Sequence, residues 1–190
     1  GTWASEGTGG HGTFNVNTSG TIRINDLAVG SAGNTGVMNV DAGTINTTGL
    51  NFIGKNEGTT GAVGTLHMAG GTLSNTGRTY IAEAGCTGTL ILSGGSYKNT
   101  NNNEVFVVGA ASGGVGTVTI NHAASLLQSN GELQIADQAG SSGTVNLIAG
   151  AITVNNWLAI GRRGGQGILN MSGGTLTKTG GGNVTISTGT

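Results

Sequence analysis

Hydrolysis of a glycosidic bond needs two carboxyl groups, about 5 Å apart for retention or about 6.5–9.5 Å for inversion. The chain of 190 residues offers eight: Glu6, Asp26, Asp41, Glu57, Glu83, Glu104, Glu132 and Asp137. Glu104 and Glu132 come just before equivalent apolar segments, VFVV and LQI, and form the one acidic pair worth weighing. Their flanking residues are Asn103 and Gly131, and no Lys or Arg aligns with them to act as a lyase base. The pair therefore reads as a solvated acidic corner, and the chain is expected not to be an enzyme. Zinc chemistry wants clustered His and Cys, but His11, His67, His122 and Cys86 fall out of step with one another. No Gly-Gly pair is followed by the Asp-bearing pattern of calcium-binding repeats. No Gly-rich loop carries the Lys that phosphate binding requires. No metal and no cofactor is expected. Cys86 has no partner for an internal disulfide and reads as a small buried filler or a free loop thiol.

The cations are as sparse as the carboxylates. Seven scattered Lys and Arg cannot neutralise a run of phosphates, which argues against nucleic acid as a partner. The one basic doublet, Arg162-Arg163, reads as a solvated turn. No apolar run reaches 18 residues, so no membrane insertion is expected in this segment. No basic segment followed by an apolar one opens the chain, so a signal peptide is expected to lie outside it.

What could position side chains is set by an unusual composition. Gly numbers 40, Thr 28 and Asn 20, with no Pro, a combination that opposes helices and lacks the Gly-X-Y period of collagen. At 35% hydrophobic and 8% charged, the chain is also too apolar and too weakly charged to stay disordered. The composition suits short strands and many turns.

An internal repeat organises them. After a partial unit, 1–11, the chain divides into rungs at 12–35, 36–63, 64–87, 88–115, 116–142, 143–166 and 167–190. The clearest copies are GTLHMAGGTL from Gly64, GTLILSGGSY from Gly88 and GILNMSGGTL from Gly167. Within each rung the apolar period is two, the mark of half-buried strands. One inward column holds Phe14, Met38, Leu66, Leu90, Val118, Val145 and Leu169. The next holds Val16, Val40, Met68, Leu92, Ile120, Leu147 and Met171. A second strand contributes Ile22, Ile45, Leu73, Tyr97, Ile152 and Leu176, and a third Val29, Ile53, Ile81, Val108, Ile135, Ile160 and Ile186. Three short strands per rung of 24–28 residues describe an all-β fold, a parallel β-helix (β-solenoid) of about seven rungs in a single domain, 1–190. Stacked rungs pair each strand with its equivalent about 4.8 Å away. A single rung could not bury its apolar face alone, so stability must come from neighbour contacts. Pro is excluded because it would remove a ladder donor from a central strand.

Surface features follow from the same alignment. Two residues beyond the third strand's last apolar position, Lys55 is expected to face Glu83 and Asp137 to face Arg162. The run Asn99–Asn103 reads as a bulged corner, or else as an Asn ladder open to a ligand. On the third strand's outward face, Phe52, Tyr80 and Val107 would form an apolar stripe for sugar stacking or protein docking, unless a local register shift turns them inward. Thr ranks at Thr13, Thr65, Thr89, Thr117 and Thr144 bring ice binding to mind, but only Thr117-Val118-Thr119 gives the Thr-x-Thr spacing in the first strand. Thr is a good former of exposed strand, which accounts for the ranks more simply.

The pattern GTLx[LM]SGGTLT followed by an apolar-Ile-Gly segment resembles the repeats of type V secretion (autotransporter) passengers, AIDA-type adhesins and PEP-CTERM-anchored surface proteins. The resemblance covers all seven units. It implies a right-handed parallel β-helix, secreted and held at or released from a bacterial surface, with no enzymatic residues. On that basis the chain is expected to be a structural or adhesive segment of an extracellular surface protein, cut from a longer array. Host or neighbour-cell glycans or proteins are the expected partners. End-to-end self-association into a filament or sheath is an alternative, and a carbohydrate-active enzyme and an ice-binding protein are lesser ones.

Overall fold

The computed structural model describes residues 9–189, and among these it contains strands and turns but no helix. Nineteen strands, all paired in parallel, coil into a β-solenoid of about seven turns. Alternation builds each one. In Val63–Met68, Leu66 and Met68 point inward and are fully buried, while Thr65 and His67 between them are half-buried on the outside.

Stacking preserves these positions from rung to rung. Phe14, Met38, Leu66, Leu90, Val118, Val145 and Leu169 are successive register partners. So are Val29, Ile53, Ile81, Val108, Ile135, Ile160 and Ile186 on the third strand. The second-strand column gains a member that the repeat did not reveal. Leu127 stands between Tyr97 and Ile152, in a rung where His122–Ser125 replaces the usual Gly-Gly turn. The columns merge into one core that includes Met38, Leu66, Leu92, Ile120 and Leu147. Several side chains of the first and last rungs are partly bare: Phe14 is 47% exposed, Met171 49% and Ile186 76%.

Two of the expected corners are absent. In rungs one and two the first and second strands run on as His11–Ile24 and Thr35–Thr47, with the ladder shifting register around Asn17–Thr21. Ser19-Gly20 and Ala42-Gly43 stand there in place of Gly70-Gly71 and Gly94-Gly95. The first and second strands consequently join in a twelve-stranded sheet, and the third strands form a separate sheet of seven.

From rung two onward, the Gly that opens the rung is required by close backbone approach. A Cβ built on Gly88 would fall on the carbonyl oxygen of Ile53 and the amide nitrogen of Ala82, well inside van der Waals contact. A second column closes each third strand in the left-handed conformation: Gly30, Gly54, Ala82, Gly109, Ala136, Gly161 and Ser187 all have φ between 56° and 80°. Ala82 and Ala136 tolerate a conformation that L side chains rarely adopt because the stacked neighbours impose it.

The corner between second and third strands is polar and buried. Thr47, Asn75, Asn99 and Ser129 occupy successive inward positions at no more than 1% exposure. Asn75 donates to the carbonyls of Gly77 and Arg78 at 2.9 and 3.1 Å and accepts from Thr47 Oγ1 at 2.9 Å. Asn99 donates to Gly77 O at 3.2 Å, so the first residue of the Asn run seals a corner and is closed to ligands. Beside it, Tyr97 packs edge-on against Phe106 at 5.4 Å. Its hydroxyl receives Asn51 Nδ2 at 2.7 Å and lies 2.9 Å from Thr79 Oγ1.

Full burial pushes the Tyr97 phenol up to about 12, from 10.0. The folded state therefore resists ionisation, and this contribution to stability is intact below pH 10 and is lost as pH rises from 10 to 12. Tyr97→Phe leaves Asn51 short of a partner and should cost about 1–3 kcal/mol at pH 7. The gap between wild type and Tyr97→Phe should narrow above pH 10. Urea unfolding of both proteins from pH 7 to 11 checks this, and a gap independent of pH would refute it.

Candidate functional site

The third-strand sheet carries most of the charge on the molecule. Four of the seven cations, Lys55, Arg78, Arg162 and Arg163, lie on these strands or on the turns flanking them, as do six of the eight carboxylates, Asp26, Glu57, Glu83, Glu104, Glu132 and Asp137. Glu6 lies outside the described residues.

The outward column of this sheet is Ala28, Phe52, Tyr80, Val107, Gln134, Ala159 and Thr185, in continuous register. No register shift intervenes, and Asn51 and Thr79 occupy the inward positions at 0% exposure. The expected open stripe is nevertheless corrected in one respect. Phe52 is 6% exposed and Val107 2%, so two of the three are covered, Phe52 by Tyr80 and Lys55 among others. Tyr80 remains half-buried and stacks on Phe52 at 5.4 Å and 15°. Lys55 Nζ sits 5.0 Å from the centre of the Phe52 ring, a cation–π contact on its polar side.

Between the turns lies a recess of about 610 Å³. Tyr80, Val107 and Gln134 supply its floor, from three successive rungs. Arg78 and Val105 border it at the leading ends of the strands, and Glu83, Ala110, Ala111, Asp137, Gln138, Arg162 and Arg163 at their trailing ends. Asn56 closes one end. The lining spans five rungs, about 19 Å along the stacking axis at the strand spacing.

The rim charges are paired. Arg78 Nε donates to Glu104 at 2.8 Å, and this bond, with the nearby Tyr80 side chain, holds the guanidinium's pKa above its ordinary value. Arg162 reaches Asp137 at 3.3 Å, the cross-rung contact anticipated from spacing, and Glu132 at 3.8 Å. Arg163 also binds Asp137, so the basic doublet is anchored on the preceding rung and is not simply solvated. Asp137 is only 9% exposed at its side chain, which makes this cluster less screened than an ordinary surface pair.

Two expected juxtapositions do not form. Lys55 pairs with Glu57 on its own turn, not with Glu83, because the longer turn of rung two brings Glu57 within reach. The Glu83 carboxylate instead accepts the Asn56 N–H at 2.9 Å; burial raises its pKa and that hydrogen bond partly offsets the rise. Glu104 and Glu132 are also offset by one residue. Glu132 is the register partner of Val105, while Glu104 comes before the strand, its carbonyl oxygen against Gly131.

Elsewhere the surface is more uniform. Thr65, Thr89, Thr117 and Thr144 make one column over four rungs, interrupted by Val37 before it and Ile168 after it. Cys86 is 2% exposed, and burial pushes its thiol up. Among the described residues, no three His, Cys, Asp or Glu side chains gather closely enough to hold a metal ion.

Gln134 and Asp137 escaped the sequence reading as members of a recess. The signal available was the concentration of charge after the third strand, but nothing in the spacing indicates that a recess forms there. No family model matches the chain, and no curated protein or solved structure is similar to it.

Proposed function

We propose that this chain is a non-catalytic structural and adhesive segment of a secreted bacterial surface protein, a rigid stalk that also displays a binding face. The observation that carries the reading is the unbroken register of the third-strand column through seven rungs, from Val29 to Ile186. A continuous ladder of this kind has no hinge, and its length is about 4.8 Å for each rung added. The resemblance to autotransporter passengers and adhesin repeats supports secretion. The engagement of Glu104 by Arg78 and of Glu132 by Arg162 and Gln134 supports a non-catalytic role for that pair.

Rigidity has a direct test. Asn15 and Asn170 lie in one outward column, six strand spacings apart, with Asn39, His67, Ile91, Thr119 and Asn146 between them. Spin labels on Asn15→Cys and Asn170→Cys, in a Cys86→Ala background, should give one narrow distance distribution near 29 Å plus the label linkers. A broad distribution would rule out a stalk. Display has a second: antibodies to the chain should label intact cells of its source, and labelling only after lysis would rule out a surface role.

A further inference from the structure

Resting on the display reading, we propose that the recess on the third-strand sheet binds an uncharged linear oligosaccharide. Three features of the recess converge on that ligand class. Tyr80 offers an amphipathic ring: Phe52 covers one face at 5.4 Å, and in the next rung the smaller Val107 leaves the other bordering the recess. Such a ring contributes apolar contact area to the C–H face of a sugar at low conformational cost, and its hydroxyl can reach the sugar's polar edge. Around it stand planar polar groups: the amides of Gln134, Gln138 and Asn56 can both donate to and accept from neighbouring hydroxyls, and the Asp137 carboxylate can accept from them. Gln134 is 3% exposed and Asp137 7%, so both are held in place before a ligand arrives.

Charge selects among ligands. The rim cations Arg78, Arg162 and Arg163 already have carboxylate partners in Glu104, Glu132 and Asp137. A sulfated or phosphorylated chain would meet cations whose charge is already offset and carboxylates that repel it, whereas a neutral sugar is indifferent to both. Shape selects too. The recess runs along the stacking axis across five rungs, and a linear glycan can present a sugar unit to each of several rungs in turn. A peptide fits less well. Extended peptides add to a sheet edge through unpaired backbone groups, and this floor is a sheet face whose inner strands are paired on both sides.

The test is titration of the isotope-labelled chain with cellohexaose, xylohexaose and mannohexaose, followed by amide chemical shifts. A heparin-derived hexasaccharide and an extended neutral octapeptide serve as competing classes. At least one neutral hexasaccharide should give saturable shifts confined to residues around Tyr80, Val107 and Gln134. Tyr80→Ala should weaken binding about tenfold or more, and Ala111→Trp, which fills the recess from a turn without touching the Phe52 stack, should do the same. Thr117→Ala, on the first-strand face, should leave affinity unchanged. No saturable shift from any of the three neutral sugars, shifts mapping elsewhere, insensitivity to Ala111→Trp, or preferential binding of heparin or peptide would each overturn the proposal. The spin-label distance stands apart from all of these, so failure of binding and failure of the stalk reading are told apart.

Discussion

Gly88→Ala is expected to destabilise the chain by about 3 kcal/mol, the upper part of the range for overpacking a filled site. The added methyl meets the carbonyl oxygen of Ile53, the amide nitrogen of Ala82 and the carbonyl carbon of Ile81, all backbone. None can move aside as a rotamer would. Displacing them disturbs the third strands of rungs two and three together, where Asn51–Lys55 pairs with Thr79–Ile81. The same column contains a control: at Gly12 a Cβ would meet no described residue within 4 Å. Gly12→Ala should fall within about 0.5 kcal/mol of wild type. Urea midpoints for the two variants make the comparison, and equal effects would show that the close approach does not set the identity of the rung-opening residue.

Phe106→Ala should cost about 3–5 kcal/mol, as truncation of a buried aromatic ring does. Phe106 has 0% exposure and meets Tyr97 edge-on, so its loss opens a cavity beside a hydroxyl network that depends on Tyr97 staying in place. In a solenoid the damage should be local, because each rung contacts mainly its neighbours. Hydrogen exchange should accordingly accelerate first in Thr79–Ile81, Val105–Val108 and Glu132–Ile135, the strands paired through Phe106. Ile186→Ala, at a position 76% exposed, should change stability very little. A Phe106→Ala protein that unfolds at the wild-type midpoint would contradict the packing described above.

The stacking of the rungs was legible in the sequence because two independent signals agree on it. Gly at the head of a rung marks backbone contact with the rungs before it, and the apolar pair two and four residues later marks the core face. Both recur in Gly64-Thr65-Leu66-His67-Met68 and Gly88-Thr89-Leu90-Ile91-Leu92, which are register partners residue for residue. Leu127 was missed because the turn before it, His122–Ser125, lacks the Gly-Gly that announces the second strand elsewhere. Corners were less legible than strands. Asn99 could have faced either way, and only the neighbouring carbonyls of Gly77 and Val105 draw its amide inward.

The recess illustrates the limit more sharply. The alignment brought Phe52, Tyr80 and Val107 into one outward column, which the structure retains. Their differing exposure depends on which side chains from neighbouring rungs pack over them, and the choice of Glu57 over Glu83 as the partner of Lys55 depends on the path of one loop.

Sequence alone determined that this chain is a stack of three-stranded rungs, which residues face its core, and that no run of charge is present to bind a polyanion. Those properties are periodic, and a period of two along the strand, repeated at each Gly-led rung, admits few other structures. Tertiary structure alone decided that one sheet bears a recess, that its cations are already paired, and that Gln134 and Asp137 stand within it. These depend on turns of unequal length meeting across rungs, and the distance between two side chains there is set by the path of the backbone, which no spacing in the sequence encodes.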